Sequence, residues 1–305
     1  MNSLPARQTL ELPYTPPFDW QRLLRFFAGH QTLGIERVTD THYARSIHWL
    51  GDDGIMTVHD DPQRHVLVAT VEGAASRHIS AFAPALARMF DLAADPEAIR
   101  VGLAHDPDLA RMITAAPGLR VPGTWSNFEL IVRAIIGQQV SVKGATTVIG
   151  RVVTRAGELL GTFSDGSECW RFPSPLAVAT ADLHKLGMPY KRIATLQHVA
   201  SVVASGEIPI ETHPADTTPL RQALLALHGI GPWTVGYVAM RAWRDPDAWL
   251  ESDLVLKQIL LALDPTATTL AQQRLRTNTW RPWRSYAVMH LWNSLADRTG
   301  AERGG

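Results

Sequence analysis

An aspartate, a set of indole and phenol rings and a glycine turn are the residues of this 305-residue chain whose types and spacing could do chemistry. Asp253 stands in the run Leu250-Glu251-Ser252-Asp253-Leu254-Val255-Leu256-Lys257, where Ser252 reads as an N-cap and Asp253 as the opening of an apolar helix. A carboxylate kept ionised by a helix N-terminus suits the stabilisation of a cation that develops during a reaction. Taken alone, the same residue also reads as a first-turn aspartate that only complements the helix dipole, worth roughly 0.3–1 kcal/mol.

Trp233 and Tyr237 are four residues apart, so on a helix they share a face. Trp280, Trp283, Tyr286 and Trp292 crowd the last helical stretch of a chain with ten tryptophans. Most of these rings must serve core packing. A subset lining a pocket would stack an electron-poor or cationic ring between π faces.

The glycine turn is Leu227-His228-Gly229-Ile230-Gly231-Pro232-Trp233-Thr234, where one apolar helix ends and another begins. Gly229 and Gly231 permit positive φ and close backbone approach, and Pro232 suits a first helical turn. Free N–H groups at such a helix N-terminus form an anion site shaped for a phosphate. Carbonyls on the inner side of the turn can hold a monovalent cation. A plain helix–helix turn has the same glycine pattern, so the hairpin alone does not decide between the two.

The elements that must position these groups fall into two textures. Residues 1–17, with Pro13, Pro16 and Pro17, read as a loose lead-in. Asp19 is placed to cap a short helix through Phe27. From Gly34 to Glu72, β-branched segments such as Gly54–His59 and His65–Val71 alternate between turns and predict a small antiparallel sheet. Helices follow near Ser76–Phe90 and after Pro96. Beyond a Pro/Gly-rich link at Pro117–Gly123 the periodicity is helical throughout, predicting helices at 126–137, 140–157, 175–186, 190–205, 216–228, 233–243, 252–263, 267–278 and 284–297. The stretch Gly161–Cys169 reads as an exposed loop. Three segments result: a lead-in over 1–17, an α+β domain over 18–116, and an all-helical region over 117–300.

Hydrophobic residues at 46% and charged residues at 19% describe an ordinary folded chain, and no run of eighteen apolar residues predicts a membrane span. The N-terminus lacks a signal-peptide pattern and Cys169 is the only cysteine, which excludes an internal disulfide and fits a reducing cytoplasm. Net charge is zero, yet residues 221–300 carry nine Lys/Arg against six Asp/Glu. Phosphate binding there would have to lean on backbone N–H groups as well as side chains.

Read in order, Gly137-Gln138-Gln139-Val140-Ser141, Leu186-Gly187-Met188-Pro189-Tyr190-Lys191-Arg192, the Gly229–Thr234 hairpin, Ser252-Asp253, Trp283-Arg284-Ser285-Tyr286 and His290-Leu291-Trp292 closely resemble the 3-methyladenine DNA glycosylase II (AlkA-type) family of the helix-hairpin-helix glycosylase superfamily. Tyr43-Ala44-Arg45-Ser46 and Arg88-Met89-Phe90-Asp91-Leu92 extend the resemblance, which covers roughly residues 14–297.

The resemblance implies a TATA-binding-protein-like antiparallel sheet with helices, followed by a helix-hairpin-helix glycosylase region. It implies Asp253 as the catalytic carboxylate, Trp233, Tyr237 and Trp292 at a base pocket, and Gly229, Gly231 and Thr234 at DNA phosphate. It also implies Gln139 as the residue that wedges into the gap left by a flipped nucleotide, and the carbonyls of Leu225, Leu227 and Ile230 as ligands for an optional Na+ or K+. The implied activity is excision of alkylated bases such as 3-methyladenine and 7-methylguanine from double-stranded DNA by a monomer, with no required cofactor and no iron–sulfur cluster.

Two departures stand out. Gln139 replaces a leucine wedge, and Pro232 replaces an arginine and removes an N–H donor. A bifunctional glycosylase/lyase of the endonuclease III kind would carry a lysine where Trp233 stands and, often, four C-terminal cysteines. A non-catalytic helix-hairpin-helix DNA-binding module would have little use for Asp253 together with the rings.

Overall fold

A computed structural model describes residues 6–303. The first expected strands form. Strand β1 (Arg7–Pro13), helix α1 (Trp20–His30) and strands β2 (Glu36–Val38), β3 (His42–Trp49), β4 (Asp52–Asp61) and β5 (Val66–Gly73) lead into a 3₁₀ segment at Ala74–Phe82 and helix α2 (Ala83–Phe90). The sheet is antiparallel throughout, in the order β1-β5-β4-β3-β2.

Its register explains the alternation in the sequence. Tyr43 pairs with Val58, Arg45 with Met56 and Ile47 with Gly54, so one face of the sheet is buried residue by residue. Helix α1 covers that face with Trp20, Leu23, Leu24 and Phe27, the last ring lying 4.9 Å from that of Tyr43. Asp19 caps α1 by accepting the Arg22 N–H at 2.9 Å, as its position predicts.

Residues 7–13 correct the reading of a loose lead-in. They are β1, an edge strand paired with β5 from Arg7↔Glu72 to Pro13↔Val66. Proline is tolerated there because an edge strand leaves half its N–H groups unpaired. Residues 1–5 of the lead-in lie outside the described residues.

Helices α3 (Pro96–Leu103), α4 (Pro107–Ala115), α5 (Asn127–Gly137) and α6 (Val142–Ala156) follow, then strands β6 (Glu158–Thr162) and β7 (Glu168–Arg171). Helices α7 (Pro175–Thr180), α8 (Tyr190–Ala204), α9 (Thr218–Ala226), α10 (Pro232–Arg241), α11 (Leu254–Leu263), α12 (Leu270–Asn278) and α13 (Arg284–Arg303) complete the chain. Aspartate or serine followed by proline starts several of them. Asp95, Asp106 and Ser174 cap α3, α4 and α7, each with proline at the first helical position.

Two hydrophobic cores result, one of residues Leu12–Leu92 and one of Ala94–Leu291. Helices α3 and α4 thus pack with the helical body, and the break in packing falls upstream of the division expected after residue 116. The region beyond residue 117 is not all helical. Residues 161–169, read as an exposed loop, belong to the β6–β7 hairpin, whose Cys169 and Phe163 are buried. That hairpin docks on the sheet, where the Ser46 hydroxyl donates to the Trp170 carbonyl at 2.6 Å. Helix α7 ends at Thr180, shorter than the expected 175–186. Among the described residues no helix is long and apolar enough to cross a membrane.

A buried charge cluster ties the sheet to α5. Arg45 Nη2 donates to Glu129 at 2.6 Å, Arg133 Nη2 to Glu36 at 2.5 Å, and Arg133 Nη1 to the His30 carbonyl at 2.6 Å. Tyr43 adds its hydroxyl to Glu36 at 2.7 Å. Helix α5 is therefore held rigidly, and its C-terminal end carries the Gly137–Val140 turn.

Candidate active site

Asp253 is the N-cap of α11, and its Oδ1 accepts the Leu256 N–H at 2.8 Å. The cap was expected one residue earlier, at Ser252. Both residues cap well, and tertiary structure selects Asp253, because its second oxygen, Oδ2, accepts the Trp233 indole N–H at 2.9 Å. Asp253 is 9% exposed, its carboxylate held by one backbone and one side-chain donor. Such a group is preorganised and cannot swing away from a charge that forms beside it.

Trp233 in turn stacks on Tyr237, with ring centroids 5.1 Å apart and planes 10° from parallel. The shared helix face predicted from their spacing is thus realised on α10. Trp292 is half-buried on α13 against the same helical core, and among the described residues it makes no ring contact with Trp233 or Tyr237.

The hairpin between α9 and α10 turns on its two glycines for different reasons. Gly229 has φ +83°, and a Cβ there would lie 2.3 Å from Thr195 Oγ1, so both backbone and packing require glycine. Gly231 has an ordinary extended φ of −106°, and a Cβ there would meet nothing within 4 Å. Nothing inside the protein requires glycine at 231. The missing side chain leaves approach room over the start of α10. Among the described residues no side chain caps that helix, so its first N–H groups are left without a side-chain acceptor.

Thr234 turns its hydroxyl into the protein. The residue is 1% exposed, and its hydroxyl accepts from the Gln138 amide at 3.1 Å. Any phosphate contact from Thr234 therefore falls to its backbone N–H. Gln138 also donates to the Gly229 carbonyl at 3.1 Å, stapling the turn after α5 to the hairpin. The neighbouring Gln139 is exposed and sits in the left-handed region at φ +60°. A non-glycine residue in that conformation costs roughly 1–2 kcal/mol.

The carbonyls named for a cation offer neutral oxygens with no carboxylate among them, a donor set that fits a monovalent ion. That of Leu227 already accepts the Ile230 N–H at 3.1 Å and would bind through its second lone pair. Two residues of the site were not singled out from sequence, Gln138 and Arg241. Arg241 is four residues beyond Tyr237 on α10, a spacing that could have flagged it.

Comparison with known proteins agrees with this architecture. The family model for the AlkA N-terminal domain matches residues 9–126. DNA-3-methyladenine glycosylase 2 of Escherichia coli (strain K12) is 36% identical over 284 residues, 92% of this chain and 95% of that protein. A probable bifunctional transcriptional activator/DNA repair enzyme AlkA of Mycobacterium tuberculosis (strain ATCC 25618 / H37Rv) is 35% identical over 94% of this chain, which spans 57% of that protein's length. Among solved structures, the 3-methyladenine DNA-glycosylase from Archaeoglobus fulgidus superposes with a TM-score of 0.77 at 19% identity, covering 93% of this chain and 96% of its own, and so shares the fold. With helix-hairpin-helix architecture and identity above a third along nearly the whole chain, this protein belongs to the DNA-3-methyladenine glycosylase 2 family.

Proposed function

We propose that this chain is a monofunctional DNA glycosylase that takes an alkylated base from double-stranded DNA into a site between Asp253 and the Trp233–Tyr237 stack and hydrolyses its bond to the sugar. The observation that carries the reading is the Asp253 carboxylate, buried, doubly hydrogen-bonded and joined to the aromatic stack through Trp233. As the bond breaks, the sugar gains oxocarbenium character. A fixed carboxylate offsets that charge and can direct a water to it. An alkylated purine already carries positive charge and departs with little help from an acid, so one aspartate and π faces suffice, with no required cofactor.

Phosphate capture falls to the backbone at Gly229, Gly231 and Thr234. Gln139 on its stapled turn fills the gap left by the flipped nucleotide, and flipping itself costs a few kcal/mol, less at a damaged pair. A Na+ or K+ on the carbonyls of Leu225, Leu227 and Ile230 would add positive charge at the hairpin. The protein acts as a monomer in the cytoplasm.

A lyase would need an amine nucleophile where Trp233 stands. Duplexes carrying one 3-methyladenine or 7-methylguanine test the reading together with borohydride. Base release should leave an intact abasic strand that breaks only after alkali or heat, with no trapped adduct. Efficient trapping would show lyase chemistry, and tight binding without release would show a non-catalytic module.

A further inference from the structure

The far end of the α10 face is not accounted for by the chemistry above. Arg241 is 5% exposed, and among the described residues every hydrogen-bond partner of its guanidinium is neutral. Nη1 donates to the Tyr237 hydroxyl at 2.6 Å, Nε to the Pro122 carbonyl at 2.8 Å and Nη2 to the Gly123 carbonyl at 2.9 Å. The charge lies 4.8 Å from the centroid of the Phe26 ring and 5.3 Å from that of Tyr237. Arg45 and Arg133 are buried on glutamates, but among the described residues no carboxylate pairs with Arg241. A desolvated cation without an anion is costly to keep.

The hydrogen bond to Tyr237 has one possible direction. A guanidinium has donors and no acceptor, so the phenol oxygen accepts, and the phenol's own proton points elsewhere. Among the described residues that proton finds no acceptor. The hydroxyl is thus a donor polarised by a full charge, with its partner missing.

We propose that Tyr237 donates this hydrogen bond to an acceptor atom on the edge of the departing base, and that Arg241 is the positioning residue that orients and polarises it. The inference rests on the function proposed above, which puts Asp253 beside the sugar. Along one face the order is then carboxylate, indole, phenol, guanidinium. That dipole matches the charge separation of the reaction. As the bond between C1′ and the base nitrogen breaks, its electron pair leaves with the base and C1′ becomes electron-poor. Water adds at C1′ and releases one proton to solvent, while Tyr237 keeps its proton. A cationic base such as 7-methylguanine departs neutral and gives the pair little to stabilise. A neutral base such as hypoxanthine departs with negative charge, which the pair offsets before solvent protonates it. Arg241 and Tyr237 therefore extend the substrate range to neutral lesions.

Single-turnover release of hypoxanthine and of 7-methylguanine, each from its own duplex, tests the proposal. Tyr237→Phe removes one oxygen and should lower hypoxanthine release by about 10²-fold, in the range seen for loss of an oxyanion donor. The ratio of the hypoxanthine rate to the 7-methylguanine rate should fall at least roughly tenfold on the same basis. Arg241→Met should lower the same ratio, and Arg241→Lys should recover part of it. Combining Tyr237→Phe with Arg241→Met should lower it no further, because the charge acts through the hydroxyl. Arg241 also holds the Pro122 and Gly123 carbonyls, so if Arg241→Met fails to fold, Tyr237→Phe decides alone. An unmoved ratio in Tyr237→Phe, or no hypoxanthine release by the unaltered protein, overturns the proposal. Asp253→Asn serves as the control. Normal release of both bases by that variant would mean that the site proposed at Asp253 has failed, and release of neither base by the unaltered protein that the proposed function has failed, whereas loss of both in Asp253→Asn beside an unmoved Tyr237→Phe ratio removes only the role given to the pair.

Discussion

The indole N–H of Trp233, in the first turn of α10, donates to Oδ2 of Asp253, at the head of α11, across 2.9 Å. The bond joins the aromatic stack to the carboxylate and fixes the direction in which that carboxylate points. Trp233→Phe keeps a ring on Tyr237 and deletes the donor. A hydrogen bond to a charged group contributes about 1.5–3 kcal/mol, so the variant should lose stability in that range and base release should fall by one to two orders of magnitude. Denaturant midpoints and single-turnover rates measure both. A stable variant with undiminished release would separate the indole N–H from the chemistry.

Gln139 predicts a trade between stability and activity. Its φ of +60° is strained for glutamine and free for glycine. Gln139→Gly should raise stability by roughly 1 kcal/mol and, if Gln139 is the wedge proposed above, lower excision, because the side chain is lost with the strain. Gln139→Ala should weaken binding to a lesion duplex more than to an abasic duplex, where no base pair need open. Equal effects on the two duplexes would mean that another residue is the wedge.

Acid should destabilise the protein through His290. The imidazole is 4% exposed on α13, its Nδ1 has no hydrogen-bond partner, and burial with the nearby Arg22 charge pushes its pKa down to about 4. Between the ordinary value near 6.5 and 4, the unfolded chain binds the proton and the folded chain does not. Stability is therefore full above about pH 6.5 and falls as pH drops toward 4, by up to about 3 kcal/mol for this group. Denaturation midpoints for the protein and for His290→Phe, followed from pH 7.5 to 4.5, should diverge in slope, the variant being the flatter. Parallel curves would assign the acid sensitivity to other groups.

Much of the site was legible because its parts are local. The glycines of 227–234, the spacing of Trp233 and Tyr237, and an aspartate heading an apolar helix are short-range patterns, and the structure places them together. What escaped is tertiary. β1 reads as a proline-rich lead-in until β5 supplies its partner, and the β6–β7 hairpin reads as a loop until it docks on β3. Ser252 and Asp253 are equally good caps on paper, and only the Trp233 N–H at the start of α10 chooses between them. Gln138 looks interchangeable with Gln139, yet one is a half-buried staple to Gly229 and Thr234 and the other an exposed, strained side chain. That Arg241 has no anion among the described residues could not be read from sequence at all.

The most direct test is Asp253→Asn. Asparagine caps helices as well as aspartate, so Leu256 keeps its partner. The amide then faces the Trp233 N–H with a donor instead of an acceptor, at a cost of about 1–3 kcal/mol that leaves the fold intact. Single-turnover release of 7-methylguanine and hypoxanthine is measured beside binding to an abasic duplex. Binding should be retained, release lowered by about 10²–10³-fold, and the loss deeper for hypoxanthine, whose departure gets no help from a charge of its own. A folded Asp253→Asn protein that releases both bases at near-normal rates would reduce Asp253 to a helix cap and contradict the mechanism.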